Sequence, residues 1–131
     1  MSASVFGSMT CPCGTGTSYG GCCGRFHRGA ALPATAEELM RSRYAAYAVD
    51  ELDYVFRTWH PRTRPTDPKP QPGTTWVALE ILDTVDGSAD DETGMVEFRA
   101  HFRDASGAGV LHERSTFTRR AGRWFYLSRE E

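Results

Sequence analysis

The chain has 131 residues, a formal net charge of -2 and a mean hydropathy of -0.47, which suits one compact domain plus a small appendage. That balance excludes a strong phosphate-seeking field over the whole surface, and no stretch nears the ~18 apolar residues of a membrane-spanning helix. The charge is uneven: residues 1–72 carry eight Arg/Lys against six Asp/Glu, and residues 73–131 carry seven against eleven.

Residues 1–10 read as a loose start. They hold no positive charge and no apolar run of the length a secretory signal needs, so a reducing cytoplasmic setting is expected. All four cysteines then fall within thirteen residues, Cys11-Pro-Cys13 through Cys22-Cys23, in a segment with glycines at 14, 16, 20, 21, 24 and 29. The first forty residues are too poor in large apolar groups to build a core, and a bound metal can replace that packing.

Pro33 introduces a helix expected over 36–48. Thr35 is its N-cap and Glu38 the N3 partner of a capping box; Leu39, Met40, Tyr44, Tyr47 and Ala48 follow at helical spacing. Asp50 is placed as the cap of a second helix with stripe Leu52, Val55, Phe56 and Trp59, stopped by Pro61. Five prolines between His60 and Thr74 make a breaker-rich loop, a spacer or a lid. From Thr75 the period becomes two. Strands are expected over 76–85, with Val77, Leu79 and Ile81 on one face, then 94–103, 109–119 and 123–128. The turns at 86–91, 104–107 and 121–122 are short, so successive strands form an antiparallel meander. Helices followed by a meander give an α+β fold with the helices on one face of the sheet.

Cys-x-Cys, eight residues, then Cys-Cys brings two close pairs together across a flexible loop. Four thiolates in a tetrahedron suit Zn²⁺, one ion per chain, and such a closed site leaves no open position for catalysis. A disulfide pair and a redox role for Cys22–Cys23 are the less favoured alternatives in a reducing compartment. The run CPCGTGTSYGGCCG resembles the SEC-C zinc-binding motif: Cys11, Cys13, Cys22 and Cys23 stand at its ligand positions, with Pro12, Gly14, Gly16 and Tyr19 in place and Thr17 where a basic residue is frequent. The resemblance implies that all four cysteines are ligands and that the knuckle docks partners.

It extends over most of residues 10–127. The stretch 34–48, Asp53-Tyr54, Thr58-Trp59-His60-Pro61, Val96–Ala100, His112–Phe117 and Gly122–Tyr126 are similar to the YchJ-like family of bacterial proteins. That family implies a zinc-binding SEC-C motif (1–30) followed by a nuclear transport factor 2-like domain (31–131), a cone of helices packed into a curved sheet. It implies no particular activity.

Strand parity supplies a candidate pocket inside such a cone. If Val96, Phe98, Ala100 and Phe102 face the helices, the next strand offers Leu111, Glu113, Ser115 and Phe117. Glu113 then points inward, where it needs a partner such as Arg43 or Arg41. Tyr44, Trp59, Trp76 and Trp124 are expected to wall the space. His27, beside the knuckle, is a spare ligand, His60 follows a helix end, and His101 and His112 lie on the outer face. The leading expectation is a zinc-binding adaptor whose knuckle docks a protein partner. The alternatives are an enzyme or small-ligand binder with Glu113 as acid or base, and nucleic-acid or ribosome binding through Arg25, Arg28, Arg41 and Arg43. A monomer or a homodimer paired through the sheet is expected.

Overall fold

A computed structural model describes residues 9–66 and 73–130. The expected loose start at 1–8 and the centre of the proline-rich loop at 67–72 lie outside these described residues. A 3-10 turn at Tyr19–Gly21 leads into a short helix α1 (Cys23–His27), then α2 (Ala36–Ala48) and α3 (Leu52–Arg57), and four strands follow: β1 (Thr75–Asp86), β2 (Thr93–Asp104), β3 (Gly107–Arg120) and β4 (Arg123–Arg129). The strands pair in sequence order, all antiparallel, as one sheet. This is the expected meander.

Helix α2 is the element against which the rest packs. Its start is fixed by Thr35, whose Oγ1 accepts from the Glu38 N–H at 3.1 Å, a bond of a kind that contributes about 1 kcal/mol. Glu38 reaches back one residue further than a standard capping box, accepting from the Ala34 N–H at 2.7 Å. The Ala36 N–H donates to the Gly87 carbonyl at 3.0 Å, which ties the helix start to the β1–β2 hairpin. From α2, Leu39, Met40 and Tyr44 meet Val96, Phe98 and Ala100 of β2, Phe117 of β3 and Trp124 of β4 in the main core.

Two local expectations are corrected. Asp50 does not cap α3. It stands in the left-handed conformation (φ 63°) just past the end of α2, and the Glu51 N–H returns to the Ala46 carbonyl at 2.8 Å. That six-to-one bond is a Schellman closure, so Asp50 serves the C-terminus of α2 and Glu51 takes the N-cap place of α3. On β1 the pairing slips between Trp76 and Ala78, so Trp76 joins Leu79 and Ile81 against the core while Val77 turns out and is 55 % exposed. Bulges of this kind shift parity and bend a strand, and a second lies between Ile81 and Asp83.

The knuckle is packed onto the cone. Ala45 of α2 completes the cysteine cluster, while Phe26 joins Ala46, Tyr54 and Val55 in a third cluster. Among the described residues no helix is long and apolar enough to cross a membrane.

Candidate metal centre and cone pocket

The knuckle backbone folds around its sulfurs. The Cys11 N–H donates to the Thr17 carbonyl at 2.8 Å, and the Tyr19 N–H donates to the Met9 carbonyl at 2.8 Å. Gly14 and Gly16 adopt positive φ, 91° and 85°, which lets the chain double back between the two cysteine pairs. All four cysteines are buried, none forms a disulfide, and their Sγ atoms lie within 4.8 Å of one another. A tetrahedron of sulfurs at Zn–S ≈ 2.3 Å has edges of ~3.8 Å, close to the 3.6 Å between the Cys13 and Cys22 sulfurs. The donor set and its spacing fit a metal ion.

Without a cation these thiols compete for protons. Hydrogen bonding with Cys13, and burial, push Cys11 up to about 11, while Cys13 is held far below the thiol range by bonds from Cys11 and Cys23. A divalent ion held by Cys11, Cys13, Cys22 and Cys23 would remove that competition, because it binds them as thiolates. His27 is no spare ligand. Its Nε2–H donates to the Ser42 carbonyl at 2.8 Å, and its Nδ1 accepts from the Tyr19 hydroxyl at 2.5 Å. Because a carbonyl only accepts, Nε2 carries a proton, and in the neutral ring Nδ1 is then the acceptor.

The arginines expected to form a nucleic-acid face are dispersed and largely used internally. Arg41 Nη1 donates to the Cys13 carbonyl at 2.6 Å and its Nε pairs with Glu37. Arg25 donates to the Cys22 carbonyl and Arg28 to the Gly20 carbonyl. Arg43 lies inside the cone, 5 % exposed.

A pocket of about 190 Å³ opens between α2 and the concave face of the sheet. Arg43, Tyr44, Trp59, Trp76, Phe98, Glu113 and Ser115 all line it. Phe117 and Trp124 do not: Phe117 is sealed in the core at 1 % exposure, and Trp124 turns its Nε1–H to the Ala34 carbonyl at 3.1 Å. Met40, Tyr47, Ala100, Leu111 and Tyr126 line the pocket in addition. Met40 and Tyr47 sit one turn either side of Arg43 and Tyr44, so helical spacing could have found them. Tyr126 stands two residues from Trp124 on the same face of β4, ahead of the register slip between Thr116 and Phe117, so strand alternation could have found it too.

The polar groups of this pocket are only half satisfied. Arg43 uses one nitrogen, Nη1, to donate to the Val55 carbonyl at 2.9 Å and the Thr58 hydroxyl at 2.8 Å. Among the described residues its Nε and Nη2 have no acceptor, and no carboxylate lies within salt-bridge distance. The guanidinium stacks on Trp59 and Tyr126, 5.1 and 4.7 Å from the ring centroids. Burial disfavours its charge, partly offset by the field of tyrosines and Glu113, yet a guanidinium stays protonated. Glu113 also uses one oxygen. Its Oε2 accepts from Ser115 Oγ at 2.5 Å and from the Tyr126 hydroxyl at 3.4 Å. Burial, then the Glu113 charge, push Tyr126 up to about 12. The expected Glu113–Arg43 or Glu113–Arg41 ion pair is not formed; the short-range partner is the serine two residues along the same strand face. The outer face is different: His101 pairs with Glu80 and His112 with Glu97, both at 2.6 Å.

Residues 35–129 match the family model described as "YchJ, middle NTF2-like domain". A UPF0225 protein of Streptomyces coelicolor is 55 % identical over 120 residues, covering 92 % of this chain and 94 % of the relative. Another from Corynebacterium glutamicum is 46 % identical over 116 residues, covering 88 % and 92 %. The solution structure of a SEC-C motif containing protein from Rhodopseudomonas palustris superposes with a TM-score of 0.83 at 34 % identity, covering 93 % of this chain and 98 % of that one. A SEC-C motif containing protein from Psychrobacter arcticus gives 0.79 at 29 % identity, covering 95 % and 84 %. The buried cysteine cluster, the helix-backed meander and these likenesses agree: the chain belongs to the YchJ-like UPF0225 family, a SEC-C motif joined to a domain similar to nuclear transport factor 2.

Proposed function

We propose that this protein binds a small organic carboxylate in its cone, and that one zinc ion in the Cys11–Cys13–Cys22–Cys23 knuckle is a structural buttress for that cone. The observation that carries the reading is Arg43, a side chain 5 % exposed on the wall of an aromatic pocket, whose Nε and Nη2 have no acceptor among the described residues. A buried charge is costly unless it is paired. The Nε–Nη2 edge is the side of a guanidinium that takes a carboxylate through two parallel hydrogen bonds. A pocket of about 190 Å³ suits a ligand with one ring or one branched chain, since a cavity of ~150 Å³ holds benzene.

The test is calorimetric titration of the full-length, zinc-loaded protein with 4-methylpentanoate and 3-phenylpropionate. Saturable binding is expected, weakened at least about tenfold in Arg43→Gln, because a charge-assisted bidentate contact contributes about 1.5–3 kcal/mol. Heat signals that show no saturation with either acid, or equal binding by Arg43→Gln, reject the reading.

A second reading, docking of a protein partner through the knuckle, is favoured by one feature. The loop from Gly14 to Ser18 stays exposed over buried sulfurs, so contact there would leave the metal undisturbed. A partner bound directly by the purified protein and lost on Thr17→Glu at unchanged zinc content would support it. Undiminished binding by that variant would place any docking elsewhere. Glu113 is retained as a binding group, and no catalytic step is assigned to it.

A further inference from the structure

Arg43 and Glu113 line the same pocket, carry opposite formal charges and do not pair with each other. Each is held firmly on one side and left open on the other. Arg43 is fixed through Nη1 by α3 and lies over both Trp59 and Tyr126, whose rings meet edge-on, and its Nε and Nη2 have no acceptor among the described residues. Glu113 is fixed through Oε2 by Ser115 and Tyr126, and its Oε1 has no partner among the described residues. Tyr126 touches both: its ring lies under the guanidinium and its hydroxyl points to the carboxylate. The pocket therefore offers one unsatisfied donor edge and one unsatisfied acceptor, on a shared support, between apolar walls.

Charge decides what fits. The two side chains together are formally neutral. A simple monocarboxylate on Arg43 would leave Glu113 facing a second negative charge in a poorly solvated space, where like charges repel more than in water. A free amine on Glu113 would leave Arg43 uncompensated. A ligand with both groups satisfies both ends and adds no net charge. We infer that the cone selects a zwitterion of the amino-acid class, with its carboxylate on the Nε–Nη2 edge of Arg43, its ammonium on Glu113 Oε1, and an apolar body of about leucine size against Trp59 and Trp76. This rests on the ligand-binding reading given above and narrows it.

A matched set of probes separates the two claims. Leucine, 4-methylpentanoate and 3-methylbutylamine share one hydrocarbon body and carry both groups, the carboxylate alone and the amine alone. They are titrated into the full-length, zinc-loaded protein, its Glu113→Gln variant and Arg43→Gln. Leucine is expected to bind about tenfold tighter than either fragment, the difference expected of one further charge-assisted contact. In Glu113→Gln that advantage over 4-methylpentanoate should vanish while binding of 4-methylpentanoate itself persists or improves, because the repelling carboxylate is gone. Glu113 is half-buried and its neighbour Ser115 can still bond a glutamine, so this variant keeps the cone intact even if Arg43→Gln does not. If 4-methylpentanoate binds as tightly as leucine, or if Glu113→Gln keeps the preference for leucine, the zwitterion assignment falls and the carboxylate reading stands. If neither acid binds, both fall.

Discussion

At the scale of the residue, close approach and unused bonding capacity matter more here than size. Gly94 shows the first. A methyl group on it would sit 2.5 Å from the Gly87 Cα and 3.1 Å from the Ala36 Cβ. The hairpin crossing beneath the start of α2 therefore has no room for a side chain. Gly94→Ala is expected to destabilise the protein by about 1–3 kcal/mol, the usual cost of overpacking, read as a lower denaturant midpoint at unchanged slope. An unchanged midpoint would mean that the hairpin yields freely. Arg43 and Glu113 show the second. Glu113 was legible in the sequence as an inward-facing group from strand alternation, and Arg43 only as one of two possible partners for it, since it stands off the apolar stripe of its helix. Their failure to pair was not legible, because it depends on Thr58 and the Val55 carbonyl taking Arg43 Nη1 and on Ser115 taking Glu113. The cysteine cluster was the most readable part of the chain, since thirteen residues hold all its cysteines.

Among elements, α2 joins the knuckle to the cone, and its contacts explain which boundaries the sequence disclosed. Its N-terminus was readable because Thr35 and Glu38 form a local signal that tertiary contacts leave undisturbed. Its end at Ala48 was readable as well, but Asp50 was misassigned to the next helix because it suits a cap on either side of a break, and the Schellman bond from Glu51 to Ala46 decides for the preceding helix. The β1 faces were misread because a bulge resets alternation with no mark in the sequence. The joint between α1 and α2 is His27, buried between Tyr19, Ser42 and Tyr54. Burial holds its folded-state pKa below the usual 6.5. The unfolded chain then takes up a proton first, so stability is full above about 6.5 and falls as pH drops below it toward the depressed folded value. Thiolate protonation would act in the same direction through a bound metal. The informative measurement is therefore the difference between wild type and His27→Gln at one fixed zinc concentration. Wild-type stability should fall more steeply between pH 6.5 and 5 than that of the variant, which itself starts lower. Parallel profiles would show that His27 does not titrate differently on folding.

For the whole molecule, a metal held by the knuckle would divide the chain into a part that depends on it and a part that does not. The knuckle has four buried sulfurs, one alanine of α2 and the ring of Tyr19 for a core, and Phe26 adds one ring packed on α2 and α3, too little to offset the entropy of ordering about twenty residues. The cone has its own core across α2 and all four strands. Removing zinc with a chelator is therefore expected to melt residues 10–28 selectively while the sheet persists. The anchors that hold the knuckle, Arg41 to the Cys13 carbonyl, Arg57 to the His27 carbonyl and His27 to Ser42, would be released, and α2 and α3 would lose one covered face. Far-ultraviolet dichroism should keep its strand signal, amide exchange should rise first in residues 10–28 and next along α2 and α3, and the melting temperature should fall by several degrees, as expected for a loss of roughly 2–3 kcal/mol in a domain of this size. Elemental analysis of the untreated protein should give one zinc per chain, and Cys22→Ser/Cys23→Ser should reproduce the chelated state without chelator. Because α2 carries both Ala45 of the knuckle and Arg43 of the pocket, zinc loss should also weaken carboxylate binding, though none of the metal's ligands lines the pocket. If exchange rises uniformly over the chain instead, the zinc organises the entire fold. If it rises nowhere, the knuckle stands without its metal, and the buttress role is wrong.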